Sequence, residues 1–342
     1  MKVAILSPIA WRTPPRQYGP WEQVASNIAE GLLAKGIDVT LFASGDSITA
    51  GQLAYSCALP YAENPGADAK VNECLHISHL MERAAGFDII HNHYDFLPLS
   101  YSRLIATPIV TTIHGFSSEL ILPVYQKYNS NTHYVSISHA NRHPSLDYTA
   151  TVYNGINTND FSFCEQPGDY LLFFGRIHPE KGTGQAIELA KKSGKKLIIA
   201  GLIQDADYFN TQVKPFINND TVVYAGNADP LQRNALLGNA LALLHLVLFD
   251  EPFGLSVAEA MCCGTPVIAF SRGAMPELIR NGKTGFLVND MEEAAVAVGK
   301  VPQIKRKDCR QWAVDMFSKE KMVTGYLDVY TQILGDGIGN RE

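Results

Sequence analysis

The 342-residue chain has no apolar run approaching the roughly 18 to 20 residues that a membrane-crossing helix needs; the longest candidate, residues 240–249, is interrupted by His245. A membrane-spanning protein is therefore not expected. Positive charge is not in surplus either, since 28 Lys and Arg stand against 34 Asp and Glu, a formal net charge of −6. That excludes a broad basic surface for nucleic acid and points to small-molecule partners. Six cysteines, Cys57, Cys74, Cys164, Cys262, Cys263 and Cys309, are scattered without a C-x-x-C pair, so neither structural zinc nor a disulfide scaffold is expected. The opening apolar run stops at Pro8 and meets Arg12. It reads as a buried strand rather than a leader, and the cytoplasm is the expected location.

Two nucleotide motifs are also missing. The first strand is followed by Pro8-Ile9-Ala10-Trp11 instead of G-x-G-x-x-G, and Gly182-Thr183-Gly184 lacks the third glycine. Gly282-Lys283-Thr284 resembles the end of a P-loop, but Glu277 stands where its first glycine is required. Tight dinucleotide or P-loop binding is thereby disfavoured.

What is present is enough chain for two cores. Uniformly apolar, β-rich runs at residues 2–7, 39–43, 87–91, 109–114, 134–138 and 151–153 alternate with helical stretches. A second series follows at 170–174, 196–200, 221–225, 242–248, 266–270 and 285–288. This pattern predicts parallel sheets covered on both faces, in two α/β domains. Between the series, residues 157–169 are poor in aliphatics and read as a linker. Val24, Ile28 and Leu32 share one face of the first helix. Met322, Tyr326 and Tyr330 form a stripe on the last helix that must pack on something.

Candidate chemistry gathers in the second half. After an apolar strand come Glu251 and Glu259, eight residues apart, with Phe253, Gly254 and Leu255 between them. Carboxylates accept hydrogen bonds from hydroxyls, while amides at a helix start suit an anion, so the segment fits a sugar nucleotide. Gly19, just before the first helix, would let a phosphate approach backbone amides.

This segment resembles the E-x7-E signature of the retaining glycosyltransferases of family 4. Further matches, in order along nearly the whole chain, are Tyr18-Gly19, Thr112-Ile113-His114-Gly115, Asn154-Gly155-Ile156, the G-R-x-x-x-x-K-G stretch from Gly175 to Gly182, Gly273-Ala274-Met275-Pro276-Glu277, Asn281-Gly282-Lys283-Thr284-Gly285-Phe286 and Phe317-Ser318. The resemblance implies a GT-B fold: two Rossmann-like domains, residues 1–160 for the acceptor and 168–318 for the donor, facing a central cleft, with a C-terminal helix (319–342) crossing back to the first domain. It implies transfer of a hexose, with retention, from a nucleotide sugar (UDP first, GDP second) to a hydroxyl acceptor.

By the same resemblance, Arg176 and Lys181 hold the diphosphate, Glu259 the ribose and Glu251 the transferred sugar. His114 stands beside that sugar, while Gly19 and the amides around Leu255 touch phosphate, and the base lies near Gly226 and Asn227. No metal or other cofactor is implied, since the two cationic side chains and helix termini replace magnesium. Asp205-Ala206-Asp207 lies in the wrong domain for a metal-dependent alternative. The acceptor attacks from the face that the nucleotide leaves, the departing phosphate takes the proton, and no protein nucleophile is needed. A nucleotide-sugar epimerase or hydrolase, or a non-catalytic nucleotide-sugar-binding subunit, are the alternatives on the same scaffold.

Three features stand outside this set. His91, His93 and Asp95 alternate, so on one continuous strand they would form a two-His, one-carboxylate metal set; with the strand ending near His91, His93 and Asp95 become acceptor-binding candidates instead. His245, in an apolar run, reads as a core histidine. Lys191, Lys192, Lys195 and Lys196 read as a solvated helix end, with peripheral membrane docking the sharper option. Pro20 stands where relatives carry a second glycine, which removes one amide donor and also suits a first helical turn.

Overall fold

The computed structural model describes residues 1–116 and 118–339 and divides the chain into two units, residues 1–155 with 319–342, and residues 156–318. The 157–169 stretch, expected as a linker, thus lies within the second unit. It is clamped there by Arg310, whose guanidinium donates to the Phe161 and Cys262 carbonyls at 2.5 and 2.6 Å.

The first unit is a seven-stranded sheet in the order β3-β2-β1-β4-β5-β6-β7, every pair parallel. Its strands are β1 (Lys2–Leu6), β2 (Asp38–Phe42), β3 (Gln52–Ala54), β4 (Ile89–Asn92), β5 (Ile109–Ile113), β6 (His133–Ser136) and β7 (Tyr148–Thr151). The sequence pattern misses β3, whose three residues at the sheet edge carry little signal, and places β7 at 151–153, two to three residues beyond its observed Tyr148–Thr151.

The helix Pro20–Ala34 starts at Pro20, whose missing amide costs nothing in a first turn. It buries Val24, Ile28 and Leu32. The helix Lys319–Gly339 belongs to this unit and packs against it: a Cβ on Gly31 would lie 2.4 Å from Val323 Cγ2. The expected stripe is buried, and two of its tyrosines reach polar partners, Tyr326 on Thr112 Oγ1 at 2.7 Å and Tyr330 on His91 Nδ1 at 2.6 Å.

The second unit is a six-stranded parallel sheet in the order β10-β9-β8-β11-β12-β13. Its strands are β8 (Tyr170–Phe174), β9 (Lys196–Ala200), β10 (Val222–Tyr224), β11 (Ala242–His245), β12 (Val267–Phe270) and β13 (Gly285–Val288). Strand order reverses beside β8, and ligands of open parallel sheets collect at the carboxyl edge where such a reversal opens the connections. No helix of the described residues is long and apolar enough to cross a membrane.

Candidate functional site

The carboxyl edge of the second sheet carries the charged residues of the sequence motifs. Arg176 follows β8 after Gly175, and its guanidinium donates to the Gln204 side-chain carbonyl beyond β9. The chain then makes a single tight turn, Pro179–Lys181, before Gly182 opens the helix Thr183–Ser193. Gly182 has φ of 78°, and a Cβ there would lie 2.0 Å from the Leu246 carbonyl oxygen. Only glycine permits that approach. The Leu248 amide donates to the Glu180 carbonyl at 2.8 Å, so the turn is fixed against the chain leaving β11.

This brings Lys181 to Glu251. The ammonium Nζ donates to Glu251 Oε2 at 2.6 Å, with each side chain 14% exposed, and lies 4.5 Å above the Phe249 ring. Glu251 is held from its own backbone: the Ala274 amide donates to its carbonyl at 2.9 Å, and Gly273, at φ of 53°, packs so closely that a Cβ would sit 2.4 Å from the Glu251 nitrogen. His245, the last residue of β11, places Nε2 3.8 Å from the same carboxylate oxygen. That nitrogen is buried without a hydrogen-bond partner. Burial lowers the imidazole to about 4, with Glu251 opposing the shift and Lys181 adding to it, so the ring is neutral at neutral pH.

Gly254, at φ of 97°, is the N-cap of the helix Leu255–Cys262, and its carbonyl accepts the Val257 amide at 3.0 Å. Glu259, one turn in, is buried, and Arg233 of the helix Pro230–Asn239 donates to its Oε1 at 3.2 Å. Burial pushes the Glu259 carboxyl up and Arg233 pulls it back down. The Arg233 guanidinium also lies 5.1 Å from the Phe161 ring centre. Gly226, just past β10, accepts the Gly201 amide at 2.8 Å, and Asn227 follows it in the chain. The Phe253 side chain is buried, edge-on against Phe317 with ring centres 5.7 Å apart.

In the first unit, Gly19 immediately precedes the helix Pro20–Ala34. His114 follows β5, is buried, and is stacked on Trp21 with ring centres 5.2 Å apart. Its Nε2 meets His93 Nδ1 at 2.9 Å, and His91 Nε2 meets Thr112 Oγ1 at 2.7 Å. Burial holds His91 and His114 down near about 3 and His93 well below its ordinary value, so all three rings are neutral. His93, read from sequence as an acceptor contact, is fully buried beneath His114. Asp95 has φ of 71° and takes the Tyr125 hydroxyl on its carboxylate, away from the two histidines it was grouped with in the metal reading. No group of three or more His, Cys, Asp and Glu suited to a metal ion occurs among the described residues.

Two site residues escaped the sequence reading. Arg233 sits in an unremarkable helix, and only packing puts it on Glu259. His245 was read as core, yet it is the last residue of a strand that ends three positions earlier than expected, at the edge where ligands of parallel sheets sit.

Comparison with known proteins bears on the family and the fold. Residues 21–160 match the model described as Glycosyltransferase Family 4, and residues 160–312 match that described as Glycosyl transferases group 1. An uncharacterized glycosyltransferase of Methanocaldococcus jannaschii is 25% identical, over 99% of this chain and 96% of that one. Sucrose-phosphate synthase of Thermosynechococcus elongatus superposes with a TM-score of 0.81 at 18% identity, over 98% of this chain and 100% of that one. An Anabaena protein solved in complex with UDP-glucose superposes at 0.73 and 18%, over 97% and 100%. The fold and the family matches thus define a GT-B glycosyltransferase. The chain belongs to the family 4 and group 1 glycosyltransferases, whose two models together span residues 21–312.

Proposed function

We propose that this enzyme transfers a hexose with retention from a UDP-sugar to a hydroxyl acceptor, without a metal ion. The observation that carries the reading is the 2.6 Å contact of Lys181 with Glu251, which joins the two motifs, distant in sequence, at one sheet edge. Lys181 and Arg176 are the cations for the diphosphate, and their largest effect falls on bond breaking, when charge develops on the leaving phosphate. Glu251 accepts from hydroxyls of the transferred sugar and Glu259 from the ribose. The amides of Gly254 and Leu255, together with Gly19, serve phosphate, and Gly226 and Asn227 border the base. His114, neutral, is a hydrogen-bond partner for the sugar rather than a proton source.

We assign no side chain as a nucleophile: the acceptor hydroxyl attacks from the face that the diphosphate leaves. The departing phosphate oxygen takes its proton, so the new bond keeps the anomeric configuration. UDP is favoured over GDP because the Anabaena neighbour was solved with UDP-glucose. Thermal-shift titration with UDP, GDP and their sugars should show selective stabilisation by a uridine ligand. Turnover unaffected by EDTA and an α product from an α donor by NMR are the expected outcomes; an inverted product would overturn the mechanism.

A further inference from the structure

We propose that His245 is a positioning residue that takes over Glu251 when Lys181 turns to the donor's diphosphate. The inference rests on the donor-site reading above and adds a residue to it. Two nitrogens converge on one oxygen: Lys181 Nζ at 2.6 Å and His245 Nε2 at 3.8 Å from Glu251 Oε2. Lys181 satisfies the carboxylate without substrate. A diphosphate is the stronger attractor for an ammonium, and a mostly buried carboxylate stripped of its counter-charge is costly.

His245 is built to meet that cost. Its Nε2 is buried with no partner, an arrangement that native structures rarely leave unexplained. Closing the gap to an ordinary N–H···O distance near 2.8 Å takes a movement of about 1 Å. The ring is anchored on the last residue of β11, paired with Ala269 of β12, so its backbone does not drift. A neighbouring carboxylate favours the tautomer with the proton on Nε2. Because the imidazole is neutral, it can orient Glu251 without adding a third cation for the diphosphate. Gly254 borders the ring: a Cβ there would lie 3.6 Å from His245 Nε2 and 2.9 Å from Met275 Cε. Glu251, gripped by a fixed neutral donor, then presents its remaining lone pairs to the sugar hydroxyls.

The test compares His245→Met, which removes the donor at similar volume, with His245→Gln, which keeps one, using UDP and UDP-glucose as probes. We expect His245→Met to raise KM for UDP-glucose and lower kcat by about tenfold each while the UDP Kd changes about twofold or less, with His245→Gln recovering much of the loss. Equal weakening of UDP and UDP-glucose, or no change in a folded His245→Met enzyme, would overturn the role. Should that variant not fold, the imidazole 15N and 1H signals of the wild-type enzyme decide: the His245 Nε2–H resonance moves downfield on adding UDP-glucose if the handover occurs, and an unmoved signal refutes it. Glu251→Gln separates the two claims. If it spares UDP-glucose turnover, the donor-site reading fails; if it abolishes turnover while His245→Met does not, only the handover fails.

Discussion

Lys181 and Glu251, 70 positions apart in sequence, share a 2.6 Å ion pair that neither could form without the close pass of Gly182 over Leu246. In the proposed donor site this pair is the resting form, and it makes the role of each partner separable.

Lys181→Ala should lower kcat by about 10² to 10³, the range for removing a preorganised donor to developing charge. Its effect on the UDP Kd should be about tenfold, as for loss of one charge-assisted hydrogen bond. Isothermal titration beside initial rates checks this, and equal losses in both would contradict a leaving-group role.

Gly182→Ala should be more damaging than a surface substitution. The added methyl meets the Leu246 carbonyl at 2.0 Å, and φ of 78° disfavours a side chain. Loss of donor turnover together with a lower Tm is expected. A variant with wild-type kinetics would show that the turn does not aim Lys181.

Arg233→Met leaves Glu259 buried without its counter-charge. The expected outcome is a lower Tm, by up to about 3 kcal/mol of stability, and weaker nucleotide binding; Glu259→Gln in the same background should restore part of the stability. Calorimetry of the two variants and the double variant gives the coupling directly, and additive losses would mean the 3.2 Å contact contributes nothing.

Glu22 gives a pH signature to the first unit. Burial pushes its carboxyl up to about 7 against a weak 3.3 Å bond from the Trp11 amide. Between pH 4.5 and 7 the folded chain keeps a proton that the unfolded chain has released, so this group lowers stability as pH rises through that window. Each unit of displacement is worth about 1.4 kcal/mol. The Tm of Glu22→Gln relative to wild type should therefore climb from pH 5 to about pH 8; a gap independent of pH would contradict the shift.

Much of this architecture was legible because parallel strands buried on both faces write themselves as continuous apolar runs, as at Leu171, Leu172 and Phe173. β3 was not, because three half-exposed residues have no periodicity to read. Within the candidate site, Glu251 and Glu259 stood out from their spacing around Gly254, whereas Arg176 and Lys181 were legible only through the resemblance of the Gly175–Gly182 stretch to the family's motif. Arg233 was not, since its partner lies 26 residues away across a helix contact. His245 misled because its neighbours are apolar and only the strand's true end reveals that it borders the ligand edge. His93 misled in the opposite way: with the strand expected to end near His91 it became a candidate acceptor contact, whereas β4 runs to Asn92 and the His93 ring just after it is buried against His114.

The central claim is that the ion pair yields to the donor. A crystal structure of the enzyme with UDP measures this most directly. The account predicts Lys181 Nζ within hydrogen-bond distance of a β-phosphate oxygen, Arg176 released from Gln204 onto the diphosphate, and Glu259 on the ribose hydroxyls. A bound UDP whose phosphates lie away from both cations, with Lys181 still on Glu251, would contradict it.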